Sequence, residues 1–189
     1  MRSLRTLAVV GLALALTLAA ACGDPFGLLR PSVANVVDTV SLYALSGTLP
    51  GTPSAYELAA RTTVLVEDGG LFDFAIDLDS AGRPVVQPTG ALKLGRSSGV
   101  QATTIPFDSI RIAPTGGYQL DSAVTLAVGG SAILHSSPSG CSITISPAYY
   151  YYAKLQILAV DAATRKIKFL ILVDTNCGYR GLEPGLPSR

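Results

Sequence analysis

The sequence predicts an all-β fold: a single sandwich of short, mainly antiparallel strands, with a β-barrel as the alternative. Three observations carry that expectation. Short runs rich in Val, Ile, Thr, Tyr and Phe recur along the chain. Clusters of Gly, Pro, Asp and Ser separate them roughly every 8–12 residues, the spacing of sandwich turns. No stretch repeats its apolar residues with the 3.6-residue period of an amphipathic helix.

The first strand is expected over 38–45 (DTVSLYAL), followed by a Gly- and Pro-rich loop at 46–54. Residues 56–61 fit a short strand or a helical turn equally well. Residues 62–67 are β-branched and apolar, hence a strand, and Asp68-Gly69-Gly70 turns the chain. Residues 72–79 alternate: Phe72, Phe74, Ile76 and Leu78 on one face, Asp73, Asp77 and Asp79 on the other. Ser80-Ala81-Gly82 then makes a hairpin with 83–87. Short strands are expected at 91–94, 100–105 and 107–112, with a turn at 114–117. Residues 124–128 and 131–135 flank Gly129-Gly130, a hairpin signal. Residues 150–160 and 166–174 flank a turn at 161–165. Leu170, Ile171, Leu172 and Val173 are apolar on both faces, so this strand should lie centrally in its sheet. The Gly- and Pro-bearing tail 178–189 should run over the surface.

Charge excludes one class of function. With 14 basic and 13 acidic groups, the chain carries no basic footprint for nucleic acid. Charged residues make up only 14% of it, against roughly a quarter in typical domains, so Ser, Thr, Gln, Gly and Tyr must cover much of the surface. Such a surface suits a protein held at a membrane or in a complex.

The N-terminus explains where it would be held. Arg2 and Arg5 precede an apolar run at 7–18, broken only by Gly11 and Thr17, and Ala19-Ala20-Ala21-Cys22 follows. A positive start, a short apolar stretch and small residues at the cut form a secretory signal. The run falls short of the roughly 20 apolar residues that span a bilayer. Ala19-Ala20-Ala21-Cys22 resembles the lipobox of bacterial lipoproteins, with Ala19 where that family prefers Leu. The resemblance implies cleavage after residue 21, acylation of Cys22 and a place in the cell envelope. Gly23, rather than Asp, implies the outer membrane. An ordinary signal peptide leaving Cys22 as a free thiol is the alternative. Residues 22–32 would form a lipidated tether and 33–189 the domain. A lipidated start and a polar, Pro-bearing end do not suit a transmembrane β-barrel.

With Cys22 taken by lipid, Cys141 and Cys177 remain, and an oxidising compartment favours a disulfide between them. Closing that loop would stabilise the domain by about 3–4 kcal/mol through chain entropy. A Cys/His nucleophile would need the sole histidine, His135, and one His with two Cys falls short of a closed zinc site.

Four features could carry chemistry. Asp73, Asp77 and Asp79 could supply paired carboxylates for glycoside hydrolysis, though a solvated strand face explains them more simply. Asp77 and Asp79 also match the start of a calcium loop, which fails where Ala81 and Pro88 stand in place of ligands. In the run Tyr149 to Tyr152, Tyr150 and Tyr152 share a face and could stack on a sugar ring or mark a protein contact; a core aromatic pair is the plainer reading. His135 lies beside Ser136, Ser137 and Ser139, but neighbours in sequence do not make a triad, and no Gly-x-Ser-x-Gly is present. Arg165, Lys166 and Lys168 read as a solvated hairpin tip. Gly69-Gly70, Gly116-Gly117 and Gly129-Gly130 lack the Lys and helix of a phosphate loop, and no cofactor is implied.

The sequence thus leads to a membrane-anchored envelope lipoprotein with a non-enzymatic structural or partner-binding β domain. A carbohydrate or small apolar ligand module is the alternative, and a hydrolase using the aspartates a third reading.

Overall fold

The computed structural model describes residues 30–95, 97–138 and 149–187. Cys22, Ser139 and Cys141 lie outside them. Among the described residues, ten strands form two five-stranded antiparallel sheets that pack as a sandwich and do not close into a barrel. They are β1 (Val37–Tyr43), β2 (Ala55–Glu57), β3 (Thr62–Val64), β4 (Phe74–Leu78), β5 (Pro84–Pro88), β6 (Gly99–Thr103), β7 (Val124–Thr125), β8 (Ser131–His135), β9 (Tyr152–Asp161) and β10 (Lys166–Asp174). The main sheet runs β1-β10-β9-β8-β6, and the second runs β3-β2-β4-β5-β7.

Period-2 alternation builds the core between them. From β10, Ile167, Phe169, Ile171 and Val173 point inward; from β4, Phe74, Ile76 and Leu78 meet them. Phe74 joins the sheets, stacked on Tyr56 at 5.7 Å and edge-on to Phe169 at 6.2 Å. β10 lies between β1 and β9, as its two apolar faces require. Its outer face is covered as well: Leu172 packs with Phe107, Ile110, Ala113, Ile133, Tyr152 and Leu182.

The cover over that outer face departs from the sequence reading. Residues 107–112 are not a strand; they begin with the 3₁₀ turn Phe107–Ser109. Its carbonyls face β9, where buried Lys154 donates from Nζ to Phe107 O and Ile110 O, both at 2.9 Å, with the ammonium 4.5 Å from the centre of the Phe107 ring. The tail is not a surface strap either. Tyr179 and Leu182 are buried, and backbone bridges join Gly181 to Ile112 and Gly185 to Asn35.

Two other departures have local causes. Residues 91–94 form turns rather than a strand, with Ala91 N–H bonded to Pro88 O and Leu92 N–H to Thr89 O. Gly129-Gly130 is not a hairpin, because β7 pairs with β5 in the second sheet while β8 pairs with β6 and β9 in the main one. The pair carries the chain from one sheet to the other. Gly129 takes φ +84°, and a Cβ on Gly130 would stand 2.9 Å from Ala127 O. The β4–β5 and β9–β10 hairpins form as expected. Asp161 fixes the second turn through Ala163 N, Thr164 N and Thr164 Oγ1. Residues 56–61 split, with β2 ending at Glu57 and a turn following.

Candidate functional site

The cleft begins with three residues facing one another across adjacent strands. Gly99 opens β6, His135 ends β8 and Tyr152 opens β9, and they are directly paired in register. Directly opposed residues share a face, here the outer face of the main sheet. Gly99 leaves room above itself, and the imidazole fills it: a Cβ there would sit 2.4 Å from His135 Nε2 and 2.8 Å from Tyr118 Cβ. Tyr118 arrives from the segment that adds to the β6 edge through the Val100–Gln119 bridge.

The result is a continuous aromatic group. Tyr118 meets His135 edge-on at 4.6 Å, His135 meets Tyr150 at 4.4 Å, and Tyr150 meets Tyr152 edge-on at 6.2 Å. Gly116 and Gly117 complete the wall of a cavity of about 200 Å³. Tyr150 and Tyr152 share a face, as alternation requires, and both line this cavity. Tyr152 is buried and Tyr150 half-buried. Tyr151 faces elsewhere and lines a different cavity, beside Asp73.

Protonation states follow from the surroundings. His135 Nδ1 lies 2.9 Å from Ser136 O, so Nδ1 carries the hydrogen and Nε2 is the acceptor. Burial holds the imidazole below its ordinary pKa, partly opposed by that hydrogen bond, so the ring is neutral at physiological pH. Burial pushes the Tyr118 and Tyr152 phenols up, against the nearby Arg180 guanidinium, so both keep their protons. Tyr118 donates to Pro114 O at 3.0 Å.

The other sequence candidates are placed apart. Asp73 does not lie on a solvated face. It is buried, and its carboxylate accepts Leu58 N–H and Ser137 N–H, each at 2.8 Å. Desolvation raises its pKa despite those bonds. It ties the second sheet to the segment leaving β8. Asp77 accepts from Ser46 Oγ at 2.9 Å and meets Arg165 at 3.4 Å. Asp79 caps its turn through Ala81 N and Arg83 N and pairs with the Arg83 guanidinium at 2.7 Å. The three carboxylates therefore serve separate partners. Among the described residues no three His, Cys, Asp or Glu gather where a metal could sit.

The serines beside His135 are also occupied. Ser136 Oγ donates to Ser137 O and accepts Tyr151 N–H, while Ser137 Oγ donates to Ser97 Oγ. Neither hydroxyl is bonded to the imidazole. Arg165 is more than a solvated tip, since its Nε also holds Ser46 O at 2.9 Å. Cys177, just past β10, is not a free thiol.

Sequence reasoning missed Tyr118, Arg180 and Lys154. Only Lys154 had a visible signal, a lone cation at an outward position between apolar neighbours. No protein-family model matches the chain, and neither does any curated protein.

Proposed function

We propose that this protein is a cell-envelope lipoprotein, exported by residues 1–21, anchored through Cys22 in the outer membrane, and presenting a non-enzymatic β-sandwich that binds a ring-sized ligand. The observation that supports ligand binding is the aromatic cleft. Tyr150 and Tyr152, the pair singled out from sequence, line one concave surface with Tyr118 and His135. Tyrosine faces offer rigid apolar area with a polar rim, which suits carbohydrate or a small apolar ring. The cavity of about 200 Å³ falls below the roughly 300–1,000 Å³ of sites for drug-sized ligands, so one ring is the fitting size. A Cys141–Cys177 disulfide belongs to the same reading, because the exported compartment is oxidising and Cys177 is not a free thiol.

The sole histidine supplies the assay. Its imidazole gives a single pair of ring-proton NMR signals, and we follow Hε1, from a ring held between Tyr118 and Tyr150. Glucose, cyclohexanol and benzyl alcohol are titrated while that signal is followed. A saturable shift with at least one, lost in Tyr150→Ala, is expected. Ligands that leave the His135 signal unmoved would remove the cleft reading.

A second reading, contact with an envelope protein, draws on a different feature. β1 is an edge strand of the main sheet, and Val36, just before it, and Val37, its first residue, are 52% and 37% exposed. Val36→Lys should then weaken co-purification of a membrane protein while leaving the His135 signal unchanged.

A further inference from the structure

We infer that the aromatic cleft takes an anionic ring, a cyclic carboxylate, with Arg180 as its counter-charge. This rests on the ligand-binding reading of the cleft and adds the charge class of the ligand.

Three other guanidiniums among the described residues have what Arg180 lacks, a carboxylate partner. Arg83 pairs with Asp79 at 2.7 Å, Arg165 with Asp77 at 3.4 Å and Arg111 with Glu183 at 3.6 Å. Arg61 acts on the Asp174 carboxyl. Arg180 meets no carboxylate among the described residues; its one hydrogen bond runs from Nη1 to Ala113 O at 2.9 Å. It is nevertheless half-buried. Desolvating a cation without an anion is costly, and the cost is recovered if an anion arrives.

Its position fits that role. Arg180 stands just outside the residues that line the cavity; it holds Ala113 O, and Tyr118, which does line it, holds the next carbonyl, Pro114 O. Arg180 also acts electrostatically on both Tyr118 and Tyr152, two of the rings lining the cavity. Among the described residues the Tyr150 and Tyr152 hydroxyls have no hydrogen-bond partner, which leaves them to donate to an anion. His135 is neutral and adds no charge of its own. A guanidinium binds a carboxylate through two parallel N–H···O bonds while the ring stacks on tyrosine. The carboxylate could belong to a sugar acid or to an aromatic acid; both present the same chemistry to Arg180.

The test is a titration of the mature protein with glucuronate, glucose, benzoate and benzyl alcohol, followed through the His135 ring-proton signal. Each acid should bind about tenfold or more tighter than its neutral counterpart, the size of one charge-assisted contact. Added salt should weaken only the acids. In Arg180→Gln the preference should vanish, and in Arg180→Lys part of it should remain, the second variant covering any loss of folding in the first. Tighter binding of glucuronate than benzoate assigns a sugar acid; the reverse assigns an aromatic acid. Equal affinity for acids and neutral rings overturns the anionic assignment and leaves the cleft standing. Four ligands without effect on the signal overturn both.

Discussion

Replacing Asp174 by Asn should stabilise this protein at neutral pH. Asp174 ends β10 and is fully buried. Its Oδ1 accepts Asn176 N–H at 2.9 Å and Asn176 Nδ2–H at 2.8 Å, and its Oδ2 has no partner. Asn35 is buried beside it and within reach of the carboxyl. The Asn35 amide is oriented by two donations, to Gly181 O at 2.8 Å and Glu183 O at 3.2 Å, and its Oδ1 has no partner either. Two buried acceptors thus lack a donor, and a proton on Asp174 would supply one. Burial pushes the Asp174 carboxyl up to about 6 from 3.8, with Asn176, Arg61 and the Asn35 amide opposing. The folded pKa exceeds the unfolded one, so the folded state holds the extra proton between those values. Stability is full below about pH 4 and falls as pH rises through 6. Moving the carboxyl from 3.8 to about 6, at about 1.4 kcal/mol for each tenfold change, makes the loss about 3 kcal/mol. Asn at 174 keeps the acceptor for Asn176, puts an N–H where the unpartnered Oδ2 stood and carries no charge. The variant should therefore gain up to about 3 kcal/mol over wild type at pH 7.5 and nothing at pH 4. Urea unfolding at intervals from pH 4 to 8 reads this, and taking the difference between the proteins cancels the other titrating groups. A variant less stable than wild type at pH 7.5, or a pH-independent difference, would refute the reasoning.

The remaining predictions concern the cover and the cleft. Lys154→Ala leaves Phe107 O and Ile110 O unpaired under the cover and should cost about 3 kcal/mol in urea unfolding. Gly99→Ala forces a methyl toward His135 Nε2, so the imidazole NMR signal should move and stability should drop by roughly 1–3 kcal/mol. Cys141→Ser should lower the melting temperature, with about 3 kcal/mol lost. A reductant should then no longer affect the variant; if both proteins melt alike, the bridge contributes nothing.

The sandwich was legible because its strands follow period 2. Phe74, Ile76 and Leu78 alternate with Ala75, Asp77 and Asp79, and Gly82 marks the turn at φ +73°. The apolar run at 170–173 required cover on both faces and found it. What failed was information that is not local. Gly129-Gly130 is the same turn whether the next strand pairs with the last or joins the opposite sheet. Residues 107–112 read as a strand from their apolar content, yet their carbonyls are needed by Lys154 from β9. Asp73 does point out of its sheet, but nothing nearby in sequence foretells that Ser137 covers it. The cleft was half legible. Period 2 put Tyr150 and Tyr152 together, whereas Tyr118 and Arg180 join them only through the edge bridge and the folded-back tail.

The membrane anchor stands or falls with the state of Cys22, and the mass change on reduction reports the bridge. The most direct test is the intact mass of the protein purified from native membranes, before and after reduction. A chain beginning at Cys22, carrying added acyl mass and gaining about two mass units on reduction, is the predicted result, the two units being the hydrogens of one disulfide. An unacylated chain beginning at another residue would contradict it, and would make the domain a freely secreted binding module rather than an anchored one.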